Sequence, residues 1–173
     1  FYDPNPVVVL EHKGLYWSKT PGTEAAKCIE PDEDYIIPLG KARIVQRATT
    51  ETSCSIITYG RGVYWALEAA ENFHGAVEII DLRTLVPLDF DTVASSIKRT
   101  SRCLVLTEEP VVNSFAQALS GRIAKECFED LDAAPQVIGS VELPAIPLNE
   151  RMEQAVLPNA EKVSAAIGTL LDY

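Results

Sequence analysis

At 173 residues, 47% of them hydrophobic and 23% charged, the chain can bury one substantial core, so one main domain is expected. A net charge of -10 offers no basic field for phosphates, which excludes a nucleic-acid binder and favours a basic protein partner. No apolar run approaches the ~20 residues that cross a bilayer. Cys28, Cys54, Cys103 and Cys127 lack paired spacing, and Cys54 and Cys103, beside or within apolar strands, fit buried thiols in a reducing, cytoplasmic setting.

The chain opens FYDPNPVVVLEHK, beginning just before an apolar run and without an initiator. Residues 1–19 are therefore expected to be the closing strand of a domain that lies upstream in a longer polypeptide. Residues 20–34 mix Pro, Gly, Thr and acids without an apolar period and predict an exposed linker. Residues 35–173 form the domain proper. Its first piece, Tyr35 to Arg47, alternates Ile37, Leu39, Ala42 and Ile44 and should lie along a sheet edge. Cys54 to Thr58 is a strand, and Tyr59-Gly60-Arg61-Gly62 turns it into a helix reaching about Phe73, with Val63, Ala66, Leu67 and Ala70 on one stripe. That turn lacks the three-glycine phosphate fingerprint, so small residues in a tight turn explain it.

Val77 to Glu108 then carries a whole strand, helix, strand unit. Val77 to Ile80 is apolar, Asp81-Leu82-Arg83-Thr84-Leu85 makes the turn, and Pro87 stops continuation. Asp89 is placed as an N-cap ahead of Val93 and Ile97, and Cys103 to Leu106 is the next strand. Nearly continuous apolar strands separated by helices are buried on both faces, which predicts a parallel sheet. Pro110 should break the chain after Glu108. Asn113-Ser114 should cap a long helix with Phe115, Leu119, Ile123 and Cys127 along one face, Gln136 to Val141 gives a last strand, and Asn159 caps a terminal helix with Val163, Ala166, Ile167 and Leu170. The expected fold is α/β, a three-layer αβα sandwich around a mostly parallel sheet of about five strands.

Residues 80–85 with Pro87-Leu88-Asp89, then Ser96, Lys98, Thr100, Arg102 and Glu108, resemble the C-terminal domain of the transketolase-like superfamily. Within it the likeness is to the β part of thiamin-diphosphate-dependent 2-oxoacid dehydrogenases. Three further blocks agree in order: Asp3 to Val7 leading to Leu10-Glu11-His12-Lys13 and Leu15-Tyr16, then Ile37-Pro38-Leu39-Gly40-Lys41-Ala42, then Leu157-Pro158-Asn159. The resemblance implies the transketolase C-terminal fold and part of an enzyme that decarboxylates a 2-oxoacid, branched-chain such as 2-oxoisovalerate, and passes the acyl group to lipoyl chains. It implies thiamin diphosphate and magnesium in the intact enzyme, held by parts outside this chain, so these residues alone are expected to be inactive.

No constellation here supports catalysis, cofactor binding or metal ligation. His74 before Gly75 fits a helix C-cap, and His12 after Glu11 fits a supporting place at the domain junction. Glu11 and Glu108 at strand ends fit ion pairs or helix N-termini. The resemblance implies as partners the rest of the same enzyme, a homo-oligomeric assembly, and the basic subunit-binding domain of a lipoyl acyltransferase. Arg83 and Glu108 are the candidate inter-domain residues. Glu129, Asp130 and Asp132, beside Glu126, with Tyr173 at the chain end, are the candidate docking residues.

Two loops depart from common family members. Glu109 to Ser114 stands where His-Glu-Ala-Pro and a glycine-rich turn are usual, and Glu142 to Pro147 replaces an Asp-x-Pro-x-Pro-Tyr pattern. Both changes fit a branch in which α and β parts are fused. Another transketolase-type enzyme, a deoxyxylulose-phosphate synthase or pyruvate dehydrogenase, is one alternative. A non-catalytic flavodoxin-like binding module is another, and it would place a ligand around Gly60, Arg83 and Glu108.

Overall fold

The computed structural model describes residues 3–16 and 23–173. From residue 43 the order is β1 (Arg43–Gln46), β2 (Cys54–Thr58), α1 (Gly62–Ala70), β3 (Val77–Asp81), α2 (Phe90–Thr100), β4 (Cys103–Pro110), α3 (Phe115–Glu126), β5 (Gln136–Ser140), α4 (Glu150–Val156) and α5 (Ala160–Leu171). The five strands make one sheet in the order β1-β3-β2-β4-β5. β3, β2, β4 and β5 are mutually parallel, and β1 joins the β3 edge antiparallel, with Arg43 opposite Asp81. The expected three-layer, mostly parallel architecture is what the chain adopts.

Every residue of β2 is buried. Because successive strand residues point to opposite faces, Ile56, Ile79 and Leu104 face one core with α1 and α5, through Trp65, Ala66, Val163 and Ile167. Ile57, Ile80 and Val105 face the other, with α2 and α3, through Val93, Ile97, Leu119 and Ile123. Two cores, one on each face, are the reason the strands have unbroken apolar sequences rather than alternating ones.

The local signals act where the sequence puts them. Asp89 accepts from Thr92 N, Ser114 from Gln117 N, and Asn159 from Lys162 N, each capping its helix. His74 ends the turn after α1 in the left-handed region, at φ 36°. Gly62 is required at the β2–α1 turn, because a Cβ there would collide with Thr58 Oγ1, which is engaged with Leu106 O at 2.9 Å. Gly139 lets β5 approach the β4 backbone, since a Cβ would meet Glu109 O.

Four features differ from expectation. β4 runs through to Pro110, because the register shifts after Leu106 and proline sits at the irregular end of the ladder. α4 has a cap, Asn149, but only one buried residue, Val156, so its sequence carries no apolar stripe. Residues 24–26 form a single 3-10 turn beside buried Thr23, although the rest of the described linker is exposed. Among the described residues of the 1–19 segment no strand forms, and Val8, Val9 and Leu10 are 84%, 74% and 86% exposed. The remainder of that segment and of the linker lies outside the described residues.

Candidate functional site

β2 leads through α1 toward β3 on one side, and β4 leads through α3 toward β5 on the other. The carboxyl ends of β2 and β4 therefore flank the point where the winding reverses, which is where open α/β sheets place their sites. Three arrangements meet along this edge.

The first ties residues 37–42 to the loop after β3. Gly40 N donates to Thr84 Oγ1 at 2.9 Å, and Ala42 N donates to Asp89 Oδ2 at 3.0 Å. Asp89 also accepts from Thr92 Oγ1 at 2.8 Å, so one carboxylate caps α2 and holds the incoming chain. Burial alone would raise its pKa, but the Ala42 and Thr92 bonds, with Lys41 nearby, lower it overall. The separated blocks Gly40 to Ala42, Thr84 and Asp89 are thus parts of one clasp.

The second surrounds Asp81. Burial raises its pKa, opposed by the Arg83 N–H at 3.1 Å and by the Arg83 and Arg43 guanidinium groups. Arg83 itself is half-buried and held in the left-handed region at φ 56°, a costly conformation for a residue with a Cβ. Its guanidinium makes no ion pair among the described residues.

The third lies at the switch point. His12 Nε2 is 3.0 Å from Glu108 Oε2, the distance of an imidazole N–H donating to a carboxylate, and this contact brings the N-terminal segment against the end of β4. Glu108 was expected to meet an arginine or a helix N-terminus. Its neighbour Glu109 takes the latter role, accepting from Phe115 N at 3.0 Å and from Tyr59 Oη at 3.1 Å. Glu109, in the loop read as departing from the family pattern, thereby caps α3 from outside. Burial pushes the Tyr59 phenol up to about 12, with the adjacent Glu109 and Glu108 adding and Thr107 opposing. Sequence reasoning weighed His12 and Glu108 separately; their spacing of 96 residues carries no local signal that they meet.

The docking candidates have different surroundings. Asp132 pairs with Arg102 at 3.3 Å, and its N–H donates to Ser101 O, so it fastens the α2–β4 turn. Glu126 pairs with Arg122 at 2.9 Å. Glu129 and Asp130 remain in a 3-10 turn beside Phe128, which is 75% exposed. Tyr173 is exposed and follows α5, on the face of the sheet opposite α3. Burial pushes the Cys54 and Cys103 thiols up to about 12, with Arg102 opposing at Cys54 and Cys127 adding at Cys103, which leaves both poor nucleophiles.

The described residues do not fit thiamin diphosphate with its metal. The first four amide N–H groups at the head of α1 are already bonded to Tyr59, Gly60 and Arg61 carbonyls, leaving no open cradle for a diphosphate. Among the described residues no three His, Cys, Asp or Glu side chains are grouped to hold a metal ion.

Fold and edge together define a doubly wound α/β domain whose motif residues anchor an incoming chain segment. A family model described as the transketolase C-terminal domain matches residues 40–163, and the chain belongs to that family. It is 32% identical over 174 residues to the 2-oxoisovalerate dehydrogenase subunit beta of Bacillus subtilis, covering 99% of this chain and 50% of that protein. It is 33% identical to the pyruvate dehydrogenase E1 component subunit beta of Rhizobium meliloti, covering 95% of this chain and 34% of that protein. It is 36% identical to the acetoin:2,6-dichlorophenolindophenol oxidoreductase subunit beta of Cupriavidus necator, with 95% and 46% covered. The chain thus spans half or less of the length of these curated relatives. Among solved structures, a split gene transketolase, an inactive beta4 tetramer, matches with TM-score 0.66 at 19% identity over 82% of this chain and 45% of that one, which shows the fold.

Proposed function

We propose that this chain is the C-terminal domain of the decarboxylating component of a thiamin-diphosphate-dependent 2-oxoacid dehydrogenase, acting on a branched-chain substrate such as 2-oxoisovalerate. In this reading the domain supports subunit assembly and docking of a lipoyl acyltransferase in a cytoplasmic multienzyme complex, while cofactor and acyl pocket belong to the rest of the enzyme. The observation that carries it is the clasp of Gly40 and Ala42 on Thr84 and Asp89. The residues of strongest family likeness are used to fix the segment by which this domain joins another. The exposed apolar run Val7 to Leu10 is the surface that the neighbouring domain covers, and Arg83, without an ion pair among the described residues, is the side chain offered to that domain's carboxylates. The relatives in Rhizobium and Cupriavidus keep a pyruvate- or acetoin-type substrate as the second reading.

Calorimetric titration with the basic subunit-binding segment of a lipoyl acyltransferase, at low and high salt, tests the docking role. Salt-sensitive binding lost on reversing the charges of Glu129 and Asp130 supports it. Absence of binding at low salt by the folded chain counts against it. Asp132 is a poor choice for reversal, because it holds Arg102.

A further inference from the structure

The opposite edge of the sheet carries a buried charge with no part in the clasp. Glu78, the second residue of β3, is 1% exposed and belongs to no sequence motif. Its Oε1 accepts from Arg99 Nη2 and from Ser96 Oγ. Ser96 continues to Ser55 Oγ at 2.6 Å, and Ser55 to Thr100 Oγ1 at 2.7 Å. Oε2, by contrast, has a single partner among the described residues, Arg47 Nη1 at 3.4 Å, from a side chain 58% exposed. A carboxylate has about four lone-pair positions, so Oε2 keeps unused acceptor capacity.

Beside it opens a cavity of about 290 Å³. Its walls are hydroxyl residues of the loop between β1 and β2 with Thr100, the carboxylates of Glu51 and Glu78, and Arg99; the one apolar side chain lining it is Ala48. The charged side chains in these walls are Glu51, Glu78 and Arg99. A simple anion would meet two carboxylates, and a simple cation would meet Arg99, with Arg47 close by on Glu78. Acid and base groups side by side match a molecule that carries both charges. The space equals that of roughly ten waters at ~30 Å³ each, enough for a molecule of a dozen heavy atoms.

We propose that this cavity binds a small zwitterion of the α-amino acid class. The ammonium group takes the place of Arg47 at Glu78 Oε2, with Glu51 alongside. The carboxylate is received by the guanidinium N–H groups that Arg47 then has free, at the mouth of the cavity. The Ser96, Ser55 and Thr100 chain fixes the Glu78 carboxylate from behind, so that this acceptor is ordered before the ligand arrives, while Arg47 turns to the ligand.

Isothermal titration of the chain with L-alanine, L-serine and L-leucine, against ethylamine and propionate as single-charge controls, tests this. At least one amino acid is expected to saturate, with both controls about tenfold weaker or more, the loss of one charged contact. Glu51→Gln and Arg47→Gln should each weaken that binding, and Thr50→Trp should block the mouth. All three positions are exposed, so the variants keep the fold, which a thermal melt verifies. The proposal is overturned by the absence of saturable binding up to about 10 mM, by binding that Thr50→Trp leaves unchanged, or by ethylamine or propionate binding as tightly as the amino acid.

Discussion

The two ends of the sheet each hold a nearly buried carboxylate, Asp89 at 6% and Glu78 at 1% exposure, and they stabilise it by different means. Asp89 is surrounded by backbone N–H groups, one from its own helix and one from the incoming strap. Glu78 is held by guanidinium and hydroxyl groups delivered by α2 and by the residue that follows β1, 21 and 31 positions away. An acceptor for backbone donors is a local device whose place follows from where a helix starts. An ion hub exists only when separate elements are packed, and losing one member leaves charge without compensation.

The largest effect should come from stripping the hub of its closer cation. Arg99→Ala is expected to cost about 3 kcal/mol in urea unfolding, the low end for a broken buried pair because Arg99 is half exposed. Arg47→Ala, whose contact is long and solvated, should cost at most about 1 kcal/mol. Equal losses from the two would mean that Glu78 does not distinguish its partners.

At the clasp, Asp89→Ala should cost about 1–2 kcal/mol as a lost N-cap. It should also speed hydrogen exchange at the Ala42 amide; an unchanged Ala42 rate would show that the strap is held by something else. Acid separates the two carboxylates of this same edge. Asp89 has a lowered pKa, so its contribution is full above the ordinary value of 3.8 and is lost as pH falls through the folded value. Asp81 has a raised pKa, so its contribution is present below 3.8 and lost as pH rises through the folded value. Asp89→Asn should therefore flatten the acid limb of a stability profile, and Asp81→Asn should remove the opposing loss on the rising side. The smallest effect belongs to Glu126→Gln on the solvent face of α3, where an i,i+4 pair is worth about 0.3–0.5 kcal/mol. A larger loss there would mean that the neighbouring contact of Arg122 with the Phe90 ring, at 3.8 Å, depends on the pair.

Much of the carboxyl edge is legible in the amino-acid sequence. The caps Asp89, Ser114 and Asn159 and the strands at 54–58 and 77–81 are local matters of apolar runs and side chains that accept from nearby amides. The clasp is visible there only in its parts, since Gly40 and Thr84 lie 44 residues apart and no periodicity relates them. The docking residues show the converse. Glu129, Asp130 and Asp132 look alike as a run of acids, yet folding gives Asp132 an arginine and leaves its neighbours at a surface turn. α4 leaves little mark on the sequence because a short helix lying on the surface needs a cap but no apolar stripe.

The sequence alone determined the layers and the direction of the strands, because burial on both faces writes itself into continuous apolar runs and caps mark each helix start. It also determined family membership, since turn and capping residues recur in a fixed order along the chain. Only the tertiary structure decided that His12 meets Glu108, that Asp89 serves two segments at once, and that Glu78 gathers Arg99, Arg47 and Ser96 beside a cavity. Charges and hydroxyls carry no period, so their partners are set by which elements the two cores bring into contact.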